Sequence, residues 1–236
     1  TPTVTPTPTP TPTPAPTVAP VYDKIVYSSN RDGGDIFIMS SDGSDETNLT
    51  WTSGSAESHP SLSPDGTKII YNSDVGTRDI WVMNVDGSNK IPLTDWAELD
   101  EWARWSPDGS KIVYGSHTGG HDYSTCSYAL CGGRQQIFVM NSDGSNQIRL
   151  TVGDIQNEQP SWSSDGTKII WTRGGYLWVM NSDGSNQVLT NQQGDHAEWS
   201  PDGTEIVFRK YPGLWKMDAD FSNATLLLAG EGYWPS

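Results

Sequence analysis

Cysteine is scarce, two among 236 residues, and histidine adds only four more soft ligands. So few, so scattered, cannot form the closely spaced Cys/His sets from which a zinc site is read in a sequence. Basic residues are scarce too: 14 Lys and Arg stand against 29 Asp and Glu, a formal charge of −15. A surface that tracks phosphates needs a surplus of Lys and Arg, so nucleic acid is excluded as a partner. No apolar run reaches the roughly 18 residues that a membrane-spanning helix needs. There is no initial Met and no signal peptide, which predicts a mature or excised piece whose export signal lies elsewhere, hence a secreted, extracellular or cell-surface protein of bacterial type. Catalytic signatures are missing as well: no Gly-x-Ser-x-Gly elbow, no His-Glu-x-x-His and no phosphate-cradling glycine loop. His196 beside Asp195 could serve as a base with Glu158, but the sequence places no nucleophile or metal set near them, and no enzyme is expected.

What is present begins with a low-complexity arm. Thr1 to Pro20 is almost entirely Thr and Pro, alternating strictly from Thr5 to Pro14. Proline fixes φ and removes the amide donor, and there is almost nothing apolar to bury, so residues 1–20 are expected as an extended polyproline II arm or linker. At about 3.1 Å per residue it would reach roughly 60 Å. The composition also signals O-glycosylation, with Thr5, Thr7, Thr9, Thr11 and Thr13 as candidate acceptors.

Residues 21–236 read as one all-β domain built of repeats. The stretch Ala103–Tyr114 recurs at Pro60–Tyr71, Pro160–Trp171 and Ala197–Phe208. Each copy is a short strand, a Ser-Pro-Asp-Gly type of turn and a second strand of β-branched residues. Third strands follow at Asp35–Met39, Asp79–Met83, Gln136–Met140, Tyr176–Met180 and Leu214–Met217. They are apolar at nearly every position, so both faces of each small sheet should be buried, as in blades stacked around an axis. Trp81, Phe138 and Trp178 take the same place in successive units and are expected between blades. A recurrence of about 40 residues with several strands per unit points to a propeller. The first unit lacks its innermost strand, and Gly232–Ser236 matches Pro160–Ser164, with Trp234 on Trp162. The expectation is therefore a five-bladed β-propeller closed by the C-terminal strand completing the first blade, which removes the free edge.

Trp105-Ser-Pro-Asp-Gly-Ser-Lys-Ile, then Ile137-Phe-Val-Met-Asn-Ser-Asp-Gly, then Leu150-Thr151 resemble the WD-like repeat of TolB-type propellers. The resemblance runs from Lys24 to Ser236 and implies the fold. Periplasmic binding proteins, propeller domains beside peptidases and sugar-acid lyases share the repeat, so it does not fix an activity. Six blades are usual in that family, against the five counted here.

In a propeller, the loops between blades and those joining second to third strands share one face. Aligned on the strand that follows, His59, Trp102, Gln159, His196 and Glu231 are equivalent and should ring the channel mouth, with Glu101, Glu158 and Asp195 behind them. Convergent carboxylates focus a field suited to a cation, Ca²⁺ included, or to a basic peptide, whereas the alternative is simply an acidic, solvated face. Residues 115–135 form an insertion on the same face, with His121, Asp122 and Tyr123 as candidate contact residues. Its Cys126 and Cys131 predict a local disulfide in an exported chain, in preference to a metal pair. The repeated Asn-x-Asp-Gly-Ser-Asn invites a calcium reading too, but it lacks the full ligand series, and hairpin turns are the expectation. Asn48-Leu-Thr50 and Asn223-Ala-Thr225 match a glycosylation sequon, a pattern common by chance.

The functional expectation is a secreted, glycosylated, non-enzymatic propeller serving as an interaction or structural module. It would be joined to a protein partner, or polymerised with copies of itself, through the arm. The alternative is the ligand-binding ectodomain of a surface sensor with the arm as its stalk. A lyase acting on acidic sugars is least favoured, because so negative a face repels an anionic substrate.

Overall fold

The computed structural model describes residues 23–51, 54–94, 99–118 and 134–230. Five antiparallel sheets follow one another along the chain. The first holds three strands, β1 (Lys24–Ser29), β2 (Asp35–Ser40) and β3 (Thr47–Asn48). The second holds β4 (Glu57–Leu62), β5 (Lys68–Ser73), β6 (Asp79–Asn84) and β7 (Ile91–Pro92). The third holds β8 (Asp100–Trp105), β9 (Lys111–Thr118), β10 (Arg134–Asn141) and β11 (Ile148–Arg149). The fourth holds β12 (Asn157–Trp162), β13 (Lys168–Arg173), β14 (Tyr176–Asn181) and β15 (Val188–Gln193). The fifth holds β16 (Asp195–Trp199), β17 (Glu205–Lys210), β18 (Gly213–Asp218) and β19 (Thr225–Ala229). The sheets are the blades of a five-bladed propeller.

The core lies in the seams between blades, as the apolar third strands require. Ile36, Ile38 and Leu49 of the first blade pack on Ile69, Tyr71 and Met83 of the second. Ile70, Ile80 and Leu93 then meet Ala103, Trp105 and Tyr114 of the third. Val113 and Ile137 meet Trp162 and Trp171 of the fourth, and Ile170 and Leu177 meet Ile206 and Phe208 of the fifth. Trp81, Phe138 and Trp178 pack half-buried against these clusters, as their shared position in the repeat predicts.

Both recurrent turns are held by a serine hydroxyl on an aspartate. In the first, Ser63 Oγ donates to Asp65 Oδ1 at 2.6 Å while accepting from the Lys68 amide at 2.9 Å. The pattern repeats at Ser106/Asp108, Ser163/Asp165 and Ser200/Asp202. In the second, Ser88 Oγ donates to Asp86 Oδ1 at 2.6 Å, and Asn89 closes the turn with φ +54°. Asn tolerates that left-handed backbone better than most residues, which is why it recurs at Asn146, Asn186 and Asn223. These carboxylates are committed to their own turns, in keeping with the hairpin reading of the motif.

The sequon at Asn48 is likewise a packing feature: Asn48 is buried and its Nδ2 donates to Asp35 Oδ2 at 2.7 Å. The expected Cys126–Cys131 disulfide is corrected, because among the described residues no pair of cysteines stands at bonding distance. Closeness in sequence does not by itself turn two Cβ vectors toward each other at the separation an S–S bond demands. Both cysteines lie outside the described residues, as do the arm of residues 1–20 and the C-terminal residues 231–236.

The first blade differs from the others in a telling way. In every blade one isoleucine of the second strand pairs with the methionine of the third: Ile25 with Met39, Ile69 with Met83, Ile112 with Met140, Ile169 with Met180 and Ile206 with Met217. The last four isoleucines are fully buried, whereas Ile25 is 40% exposed. Among the described residues its sheet has three strands and no innermost one.

Candidate functional site

Each innermost strand carries the same irregularity. The pairing register shifts between Ser58 and Ser61, between Glu101 and Arg104, between Glu158 and Ser161, and between Asp195 and Glu198. Inside each shift one non-glycine residue adopts a left-handed backbone: His59 (φ +51°), Trp102 (+62°), Gln159 (+55°) and His196 (+50°). A bulge of this kind re-aims a side chain that regular pleating would place elsewhere. Four unrelated side chains therefore occupy one belt around the axis, where strain is tolerated because the surrounding sheets fix it.

Three of these side chains touch. The His59 and Trp102 rings lie 4.0 Å apart between centroids, and Trp102 meets His196 edge-on at 5.2 Å. Gln159 Oε1 accepts from the His196 amide and from Thr172 Oγ1, each at 3.2 Å. One layer deeper, Arg104 Nε donates to Glu198 Oε1 at 3.1 Å, joining the third blade to the fifth across the axis, and Ser161 Oγ also donates to Glu198. The space left among Trp102, Arg104, Gln159, Pro160, His196 and Glu198 is about 10 Å³. That holds roughly one water and no substrate.

The carboxylates behind the belt fall into two kinds. Glu101 is buried and ion-paired with Arg78, which also binds Asp74 with Nε 2.6 Å from Oδ1. Asp195 takes a two-pronged contact from Arg209, at 2.6 and 2.7 Å, with His196 Nδ1 3.1 Å from its Oδ1. Burial opposes ionisation of Asp195, but the His196 and Arg209 hydrogen bonds outweigh it and bring the carboxyl down to about 2. Glu158 has no such cation. Burial raises its pKa, a hydrogen bond from Gln156 only partly offsets that, and the charges of Glu101 and Asp195 raise it further. The histidine of the belt's second blade is also shifted: burial, then Arg104 and Arg78, lower His59 to about 4. It is neutral at physiological pH.

The structure thus brings together His59, Trp102 and His196, with Glu101, Glu158 and Asp195 in the row behind. Glu231, His121, Asp122 and Tyr123 lie outside the described residues. Sequence reasoning missed Arg78 and Arg209, which neutralise two of the three carboxylates. Their recurrence next to the loop between second and third strands, with Arg31 in the first blade, was the available signal. Among the described residues no group of three His, Cys, Asp or Glu side chains is placed to hold a metal ion.

Comparison with known proteins bears on both the repeat and the shape. The sequence pattern of the TolB beta propeller domain matches residues 7–130 and 74–233. No curated protein matches the chain. Among solved structures, a TolB homologue from Agrobacterium tumefaciens is 20% identical with a TM-score of 0.68, over 85% of this chain and 75% of its own. TolB from Acinetobacter baumannii is 17% identical with a TM-score of 0.69, over 88% of this chain and 53% of its own. An oligogalacturonate lyase in complex with manganese is 15% identical with a TM-score of 0.65, over 86% of this chain and 61% of its own. At these identities the likeness is one of fold.

Proposed function

The chain belongs to the TolB β-propeller family, and we propose that it acts as a non-enzymatic interaction and structural module, exported to the cell surface or beyond. The observation that carries this reading is the crowding of side chains on the axis among the described residues. Where a propeller enzyme would need an open pocket, the Trp102 belt and the Arg104–Glu198 pair leave about 10 Å³. What remains for binding is surface, and the loop face offers it.

The same reading gives residues 1–20 the role of a stiff, glycosylated arm and residues 21–236 that of the propeller, with the arm joining neighbouring copies. Residues 231–236 would supply the fifth innermost strand. Two features support this closure. Ile25 is exposed where its four counterparts are buried. In the first type of turn a Cβ at Gly109 would lie 3.6 Å from Pro64 and one at Gly166 3.6 Å from Pro107, on the preceding blade's turn, whereas one at Gly66 would meet nothing within 4 Å.

Sedimentation velocity and electron microscopy of residues 1–236 beside residues 21–236 test the role of the arm. The longer chain is expected to form fibres or oligomers and the shorter one to stay monomeric. Identical behaviour of the two would remove the arm from the proposal.

A further inference from the structure

The two faces of the disc differ in what they expose. Away from the blade edges, the exposed large apolar side chains among the described residues are Trp51, Val75, Val152, Ile155, Tyr176 and Tyr211. All six stand in, or at the end of, loops between blades or between second and third strands, which share one face. The opposite face carries the two families of aspartate–serine turns, with Ile91, Ile148 and Val188 exposed on the outer strands that follow them.

The gathering is densest over the fourth and fifth blades. A Cβ at Gly174 would lie 3.6 Å from Ile155, so the Ile155 loop rests on the loop that leads to Tyr176. Gln193 Nε2 donates to the Tyr176 hydroxyl at 2.9 Å, and Gln193 in turn lines a cleft of about 630 Å³. Tyr211, 81% exposed, stands at its rim, glycines 175, 194, 213 and 230 leave its walls without side chains, and the Asp195–Arg209 pair lines it as well. The volume suits one large side chain with its neighbours.

Charge selects among occupants. On this face Arg31, Arg78 and Arg209 are each matched by a carboxylate. One cation lining the cleft is not: the Lys210 ammonium lies 4.7 Å over the Trp215 ring, with no carboxylate at ion-pair distance among the described residues. An aromatic face attracts a cation without neutralising it, so Lys210 remains available to an anion.

We propose that this cleft docks an extended segment of a partner protein in which an aromatic or branched apolar side chain is flanked by carboxylates. The apolar side chain enters beside Tyr211 and a flanking carboxylate faces Lys210. This rests on the reading of the molecule as an interaction module and gives that reading a place and a chemistry.

The test uses the full chain and two defined peptides, acetyl-Gly-Asp-Trp-Asp-Gly-amide and acetyl-Gly-Lys-Trp-Lys-Gly-amide, followed through backbone amide NMR shifts. The acidic peptide is expected to shift amides near 174–176, 193–195 and 209–213 and to bind about tenfold more tightly than the basic one. Tyr211→Ala and Lys210→Gln should each weaken it about fivefold or more, with amides elsewhere unmoved. Equal binding of both peptides, or no shift at millimolar concentration, overturns the proposal. So do shifts centred on Trp102, His196 and Glu158, although these would leave the interaction module standing with its site on the axis. Loss of arm-dependent assembly in the sedimentation experiment would instead count against the broader reading alone.

Discussion

Trp102 and His196 meet edge to face, ring planes at 85° and centroids 5.2 Å apart, although their strands belong to the third and fifth blades. The contact spans the axis rather than a seam between neighbours, so it braces the ring internally. Trp102→Ala removes this contact and the closer one to His59. Cavity formation and loss of two ring contacts should cost about 2–4 kcal/mol in urea denaturation. A loss below about 0.5 kcal/mol would mean that the seams alone hold the ring.

Beneath that belt the Arg104–Glu198 pair makes a second cross-axis tie. Both side chains are mostly buried, which limits screening by salt. A double-mutant cycle of Arg104→Met and Glu198→Gln should give a coupling of about 1 kcal/mol that persists in about 0.5 M NaCl. A coupling that vanishes with salt would mark the pair as solvent-exposed.

Acid should act on this protein in two windows. Burial lowers His59 from 6.5 to about 4. Between those values the unfolded chain binds a proton that the folded chain refuses, so stability falls as pH drops from 6.5 through 4. The turn aspartates follow at lower pH: serine hydroxyls pull Asp42, Asp65, Asp86, Asp108, Asp143, Asp165, Asp183, Asp202 and Asp220 below the ordinary 3.8, Asp202 to about 2. Their folded pKa values are depressed, so their contribution is whole above 3.8 and is lost as pH falls through those values. Urea midpoints across the acid range should show both declines, and His59→Gln should flatten the upper one only. An unchanged upper window in that variant would contradict the burial of a neutral imidazole.

Closure of the ring can be read from a pair of equivalent isoleucines. Ile169→Ala should cost about 2–5 kcal/mol, as for any fully buried isoleucine. Ile25→Ala should cost nearly as much in the whole chain and under about 1 kcal/mol in a chain ended at Gly230. Equal, small losses at Ile25 in both chains would show that residues 231–236 do not cover it.

Much of this architecture was legible because each strand type had its own pattern. The apolar third strands, Ile80–Met83 and Leu177–Met180 among them, could be stable only between blades, and that is where they lie. The alignment that made His59, Trp102, Gln159, His196 and Glu231 equivalent picks out, in the four that are described, residues at matching bulges, since a repeat preserves location when identity changes. Hidden from it were the bulges that turn these residues, for none carries the glycine that usually signals a left-handed backbone. The arginines were hidden too, because Arg78 reaches Glu101 across 23 positions and no local pattern records such a pairing. The exposed face was equally silent, as Trp51 and Tyr211 look in sequence like any other aromatics of the repeat.

Identical Asp-Gly-Ser turns should also prove unequal. Gly43 and Gly144 share φ +85°, so alanine at either meets the same backbone strain, about 1 kcal/mol. Their surroundings differ. An alanine Cβ at Gly43 meets nothing within 4 Å, whereas at Gly144 it falls 2.8 Å from the Leu93 carbonyl oxygen and 3.3 Å from the Leu93 side chain. That oxygen also accepts from Gln147 Nε2 at 3.3 Å, so it cannot retreat without loosening the seam between the second and third blades. Gly144→Ala should therefore cost about 1–3 kcal/mol more than Gly43→Ala, the ordinary range for overpacking. Gly87, 3.0 Å from the Leu49 carbonyl, should fall between them. Equal losses at all three would mean that strain within the turn sets the requirement for glycine, and that the blades do not lock through these contacts.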